Sequence, residues 1–393
     1  MTGRLVGLDV ARCVALIGMV ATHTLAARTG DGDLAFGQWL AGGRASALFA
    51  VLAGVSLALI TGREQPVRGR ARIAASAGLV VRALLIAALG LALGELESGL
   101  AVILTYYGLL FLLGVPFVGL GARPLFVLAG VWAVVLPVLS HLVRPELPER
   151  RFDNPTLGQL GDPSALLSEL AFTGYYPVLP WLAYLLVGMA VGRLALSRRD
   201  VQRRLAVAGL GLVVGATVVS RVLTRRADVV DPLRADFGGD LSGPDLLDTI
   251  AGGLHGTTST GGPWQWLLVV APHSATPFDL AQTIGSALAA IGACLLLVGV
   301  LPRFGERAAA VVFGAGTATL SLYSLHVVLH TEDFWPPDGG AAAFRWHALV
   351  LLWLGAGLVA FKRRGPLEVV VGSASRATAD VLRGRGAGAG TPR

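Results

Sequence analysis

Charge is what this chain has least of. Only 15% of its 393 residues are Asp, Glu, Lys or Arg, and a single lysine, Lys362, stands among 32 basic residues. Globular domains carry about 25% charged residues, so an ordinary water-facing surface cannot be built from this composition. Cysteine is nearly missing: Cys13 and Cys294 are the whole complement. Both sit in apolar runs without metal or redox spacing, which excludes a disulfide scaffold and leaves packing as their role. No Gly-X-Y period or long polar tract occurs, so collagen-like and disordered classes fall away. What is present is apolar: 54% hydrophobic residues and a mean hydropathy of +0.67. The chain belongs in a membrane.

Ten runs approach the roughly 20 apolar residues that a helix needs to cross hydrocarbon. They are 5–27, 43–62, 74–94, 99–120, 124–143, 172–196, 202–222, 279–301, 308–330 and 342–362. The fourth and seventh are the most diluted by Gly, Pro and Arg. The first carries Asp9 and Arg12 and lacks a small-residue cleavage site, so it reads as a span and not as a cleavable signal. The expected fold is an all-α, polytopic membrane helix bundle of about ten transmembrane helices over residues 1–362. Residues 363–393, rich in Gly, Ala and Arg without an apolar period, are expected to be a flexible cytoplasmic tail.

Arginine placement orients the bundle. Arg63, Arg68, Arg70 and Arg72 follow span two, and Arg193, Arg198, Arg199, Arg203 and Arg204 follow span six. Arg303 and Arg307, then Lys362, Arg363 and Arg364, occupy later loops of the same parity, joined by Arg4 and Arg123. The short loops of opposite parity are poorer, with Glu95 and Glu97 alone between spans three and four. Both termini of this multi-pass protein are therefore expected in the cytoplasm. The net charge of +7 is thus a topology signal, and a nucleic-acid partner is not expected. Two long outer segments, 144–171 and 223–278, complete the pattern. The second contains Trp264 and Trp266, whose expected place is the membrane–water interface, with substrate contact as the alternative.

Ionisable groups inside a bilayer are costly and default to function. Asp9 and Arg12 stand three apart on one helix face, either as a neutralised pair tying helices together or as part of a ligand site. Arg82 lies about two turns into span three; it either snorkels to the headgroups or turns inward. Two inward arginines would make a basic funnel for a phosphate-bearing cytosolic ligand. Five of seven histidines (His23, His255, His273, His326 and His330) fall at or near the outer face, whereas His141 and His347 have no polar companion nearby in sequence. His326 and His330 share a face at zinc-ligand spacing, but no HExxH glutamate accompanies them, so no metal is expected. Imidazole near neutral pH suits general-base chemistry instead.

The opening Arg4-Leu-Val-Gly-Leu-Asp9-Val-Ala-Arg12-Cys, running on to Thr22-His23, resembles the start of heparan-alpha-glucosaminide N-acetyltransferase-like proteins and related bacterial multi-span proteins. More remotely it is similar to membrane O-acyltransferases. Matching pieces follow in order: Gly43-Arg44 to Gly54, Leu104-Thr-Tyr-Tyr-Gly, Gly174-Tyr-Tyr-Pro with Gly188 to Arg193, Pro272-His273-Ser, and Thr319-Leu-Ser-Leu-Tyr-Ser-Leu-His326. The resemblance covers roughly residues 4 to 362. It implies a transmembrane acyltransferase that takes an acyl group, acetyl in the first instance, from cytosolic acyl-CoA to a sugar or envelope glycan acceptor at the outer face. Acyl-CoA would be the donor substrate, with no permanently bound cofactor. Membrane lipids, an amino-sugar or glycan acceptor and a second copy of the chain are the implied partners.

On that reading Asp9, Arg12, Arg44 and Arg82 serve the donor, the arginines through charge-assisted contacts to phosphate, and His23 is the general base. Tyr323, Ser321 and His326 are candidates for stabilising the oxyanion. Two departures stand out. Cys13 replaces a usual glycine, and residues 28–42 hold Asp31, Asp33 and Gln38 but no histidine, where the eukaryotic enzyme has its essential one. His273 is the substitute if its loop folds over the site. A polytopic transporter of a small polar metabolite or lipid-linked molecule is the competing class, and a non-catalytic membrane scaffold the third. Pro116, Pro177 and Pro180 lie within spans, as in the broken helices common in transporters, but no pairing between halves is visible.

Overall fold

The computed structural model describes residues 4–151, 153–238, 240–332 and 339–384. Its elements are helical, in the order α1 Val6–Thr24, α2 Phe36–Ala41, α3 Arg44–Ile60, α4 Gly69–Gly94, α5 Leu104–Gly114, α6 Ala122–Val143, α7 Pro163–Ser168 and α8 Val178–Gly192. There follow α9 Arg199–Thr224, α10 Ala227–Phe237, α11 Gly243–Ala251, α12 Pro277–Gly299, α13 Arg303–Val312, α14 Thr319–Leu329, α15 Ala341–Ala360 and α16 Pro366–Leu382. The all-α class holds, and no strand occurs among the described residues, where pairing is limited to an isolated Arg28–Leu34 bridge.

The count of ten full spans does not carry over. Among the described residues seven helices are long and apolar enough to cross a membrane, or eight if the bent pair Pro163–Thr173 and Val178–Gly192 is one span. The diluted seventh run forms the 26-residue α9. The fourth and ninth runs yield only the short apolar helices Leu104–Phe117 and Thr319–Leu329. At about 1.5 Å per residue, an 11-residue helix reaches about half of the ~30 Å hydrocarbon layer. In the ninth run a 3-10 turn at Gly314–Thr317 separates α13 from α14. Gly316 there lies against the Asp9 carbonyl of α1, closer than any side chain would permit.

Small residues set the other close crossings. Gly54 of α3 and Gly188 of α8 meet backbone to backbone, the approach by which membrane helices gain packing without a hydrophobic driving force. Large apolar side chains point the other way: Val207, Leu210, Val214 and Val218 of α9 and Val127, Val131 and Val134 of α6 are exposed at helical spacing. Such stripes suit lipid.

Sidedness is visible in the hydrogen bonds. Arg193, buried at the end of α8, donates to the carbonyls of Ala58, Thr61, Arg63 and Val118. It thereby knots three loops at one end of the bundle. Arg72 donates to Pro116 O and Arg199 to Gly299 O at the same end. The long segments meet at the opposite end, where Arg144 donates to Thr258 O and Oγ1, and Asn154 ties the first of them to Leu100 O and the Val102 N–H.

The expected flexible tail is corrected over most of its length. Residues 366–382 form α16, which buries Val371, Gly372 and Ala379 and brings Ser375 onto Gly78 of α4. Short Ala, Gly and Ser side chains gave no apolar period, yet they are the residues that let two helices approach closely. Arg385 and Arg393 lie outside the described residues. A second correction concerns Trp266. Trp264 is exposed, but Trp266 is buried in a satellite core with Val229, Leu233, Leu246 and Ile250, its indole donating to Asp236.

Candidate active site

Two cavities occupy opposite halves of the bundle. The small one, about 160 Å³, lies toward the arginine-rich end and is lined by Arg12, Ser56, Arg82, Tyr107, Phe111 and Thr319, among apolar neighbours. Helix α1 presents Arg12 there because Asp9, one turn earlier, holds its guanidinium at 2.8 Å. Asp9 also accepts from Arg4 at 2.7 Å, and Arg12 spends a further N–H on Ser56 at 3.0 Å. Asp9 is thus paired and buried outside the cavity, and Arg12 faces into it. Arg82 turns inward, and its Nε is buried with no hydrogen-bond partner. Arg44 is not with them. It bonds the Trp39 carbonyl and Gln282 in a separate groove with Thr217 and Arg221.

Glu368, unremarked in the sequence, closes the edge of this region. Its carboxylate accepts the Leu320 and Ser321 N–H groups at 2.7 and 3.2 Å, capping the start of α14, and the Ser321 hydroxyl as well. Ser321 is thus committed to Glu368 and the Leu367 N–H and lines neither cavity. Glu368 also lies close enough to attract Arg82 electrostatically.

The large cavity, about 760 Å³, lies toward the opposite end. His23, Ser46, Asp153, Tyr175, Tyr176 and His273 are among its lining residues, with Glu95 and Glu97 also contributing. Adjacent residues of α5 face the two spaces: Tyr106 the large one and Tyr107 the small one. Between them the Tyr107 hydroxyl donates to Ser46 O at 3.3 Å. The Tyr323 hydroxyl accepts the Ile103 N–H at 3.2 Å beside this septum and lines neither cavity.

The loop carrying His273 does fold over the large cavity. His273 has a left-handed backbone, φ 56°, as does Ala275 at 52°, conformations that few non-glycine residues hold without support. Support comes from the start of α12: the Ala275 N–H donates to Asp279 and the Asp279 N–H to Thr276 Oγ1. The His273 ring packs against Tyr175, Tyr176 and Trp181, and its Nδ1 is buried without a partner. Burial, then the neighbouring His255, pushes its pKa down to about 4. It is a neutral imidazole at pH 7.

His23 does not stand alone. Its Nδ1 is 3.0 Å from Nε2 of His326, and Nδ1 of His326 is 3.0 Å from Nδ1 of His347. His326 is fully buried. His330, one turn on, bonds the Ser98 carbonyl at 2.8 Å. His347, without a companion in the linear sequence, is therefore a member of the cluster. The only signal available was its presence in an apolar span. A metal would need the nitrogens to converge on one point at about 2.0 Å; here they are strung pairwise, and no group of three or more candidate ligands that could hold a metal occurs among the described residues.

An apolar bundle whose long helices expose Val and Leu stripes is an integral-membrane protein. The family model of the heparan-alpha-glucosaminide N-acetyltransferase catalytic domain matches residues 4–222, more than half of the chain. The chain belongs to that family and so to the transmembrane N-acetyltransferases. The match ends near the close of α9, short of the 4–362 expected from motif order; within it lie His23, Arg12, Arg82 and Arg44. No curated protein matches the chain.

Proposed function

We propose that the protein transfers an acyl group, acetyl in the first instance, from cytosolic acyl-CoA to an amino-sugar or glycan acceptor on the outer face of a bacterial cytoplasmic membrane. The observation that carries this reading is the pair of cavities divided by one septum, basic on one side and imidazole-lined on the other. Arginine excess at the small-cavity end supports a cytoplasmic assignment for that end and for both termini.

A space of about 160 Å³ suits the narrow thioester arm of the donor, with the nucleotide outside it. Arg12 and Arg82 hold its anionic groups by charge-assisted hydrogen bonds. The acceptor occupies the large cavity, where Tyr175 and Tyr176 offer flat apolar faces and Glu95, Glu97 and Asp153 accept from hydroxyl or amine groups. His23 takes the acceptor's proton as its nitrogen or oxygen attacks the thioester carbonyl. Lipids cover the exposed Val and Leu stripes, and a second copy is the expected protein partner.

The test is purified protein in lipid nanodiscs. Acyl-CoA should bind, and His23→Ala should reduce acyl transfer by about 10² to 10⁴ with donor affinity within twofold. Transfer at the wild-type rate in His23→Ala removes His23 as base. Absence of CoA binding together with solute movement in liposomes replaces the whole reading by the transporter.

A further inference from the structure

We infer that His326 and His347 are positioning residues that act through His23, forming a buried proton-sharing chain that sets the tautomer of the base and relays its proton. This rests on the proposed role of His23.

Each N···N contact of 3.0 Å in His23–His326–His347 is a hydrogen bond that holds one proton. A neutral imidazole carries one N–H and one acceptor nitrogen. His326, fully buried and bonded through both nitrogens, must therefore donate on one side and accept on the other. Only two arrangements satisfy it. In the first, His326 Nδ1–H donates to His347 and His326 Nε2 accepts the Nδ1–H of His23. That leaves Nε2 of His23, the residue that lines the large cavity, as a bare lone pair. In the second, every proton runs the other way and His23 Nε2 carries a hydrogen. The first arrangement is a base, the second an acid. His330 stays outside the chain because a carbonyl, Ser98 O, can only accept from its Nδ1–H.

The two arrangements are the two halves of an acyl transfer. As the acceptor N–C bond forms, its N–H proton passes to His23 Nε2. The Nδ1–H of His23 moves to His326 Nε2, and the Nδ1–H of His326 moves to His347 Nδ1. The positive charge thus leaves the cavity wall for the far end of the chain. When the C–S bond breaks, the same hops run backward and His23 Nε2 delivers the proton to the CoA thiolate. Thioester and amine are consumed, amide and thiol are formed, and the chain returns to its starting protonation.

The residues come from α1, α14 and α15, so no linear motif announces the arrangement. The test uses the full chain in nanodiscs with acetyl-CoA and glucosamine as probes. His326→Gln keeps an amide that can accept from His23 and donate to His347 but cannot pass a proton. It should bind CoA within twofold of wild type, keep the acceptor KM, and lower kcat about 10- to 100-fold. A bowed proton inventory in mixed H2O and D2O should become linear. His347→Gln should do the same more weakly. If both variants retain wild-type kcat while His23→Ala is inactive, the relay is wrong and the base stands. If His23→Ala is also fully active, the base reading itself has failed. Nitrogen-15 NMR of the resting wild-type protein decides independently of variant folding: His23 with Nδ1 protonated and Nε2 bare supports the chain, and the opposite tautomer overturns it.

Discussion

The two cavities touch the same helices and are built from opposite chemistry. Along α1, Arg12 faces the small one and Met19 and His23 the large one; along α5, neighbouring tyrosines divide between them. The small space has permanent cations among Phe, Leu and Ile side chains. The large one has imidazoles, phenol faces and carboxylates. The contrast shows how one bundle can attract an anionic donor at one end and remain receptive to a neutral or cationic acceptor at the other. Guanidinium stays charged under all working conditions, whereas a buried imidazole prefers its neutral form.

The sharpest way to break the comparison is Arg82→Met. Loss of a charge-assisted contact should weaken CoA binding about 10- to 100-fold, measured by isothermal titration in nanodiscs, with the acceptor KM unmoved. A shift in acceptor KM instead would mean that the cavities do not divide the substrates.

A smaller and opposite effect is expected from His273→Gln. Acceptor KM should rise about tenfold, the size of one lost hydrogen bond, while CoA affinity stays put. The same variant carries a pH signature. Because the folded pKa of His273 is about 4, below the free value of about 6.5, the unfolded chain binds the extra proton between those pH values. Wild-type stability is therefore full above pH 6.5 and falls as the medium is acidified toward pH 4. Melting temperatures at pH 7 and pH 5 should lie closer together in His273→Gln than in the wild type; an unchanged acid slope would place the charge-sensitive group elsewhere.

The smallest effect belongs to the edge of the small cavity. Glu368→Gln weakens the cap on α14 and should cost about 1 kcal/mol, read as a lowered melting temperature with the acceptor KM intact. A change at the large cavity alone would contradict the placement of α16.

Much of this was legible in the linear sequence where cost is local. A carboxylate or guanidinium inside an apolar run is expensive wherever the chain goes, which is why Asp9, Arg12 and Arg82 stood out before any fold was known. Arg44 shows the limit: it is the same residue type beside a matching motif, yet its helix start faces a different groove. His347 shows the converse. Nothing within a few residues pairs with it, and its partner lies 21 positions away on another helix. Residues 366–382 read as a linker in the sequence yet form a helix, because small side chains look alike in a linker and in a tight helix crossing.

Composition and apolar periodicity by themselves determined that this is an all-α membrane protein, which end of the bundle is basic, and that a few charges break the apolar rule for a reason. Those properties follow from transfer free energy, which each residue carries with it. Only the tertiary structure decided that seven or eight helices among the described residues are long enough to span, that two cavities meet at Tyr107 and Ser46, and that three imidazoles from three helices form one chain. Hydrogen bonds and cavity walls depend on which helix faces meet, and that is settled by glycine contacts and backbone turns distributed over the whole chain.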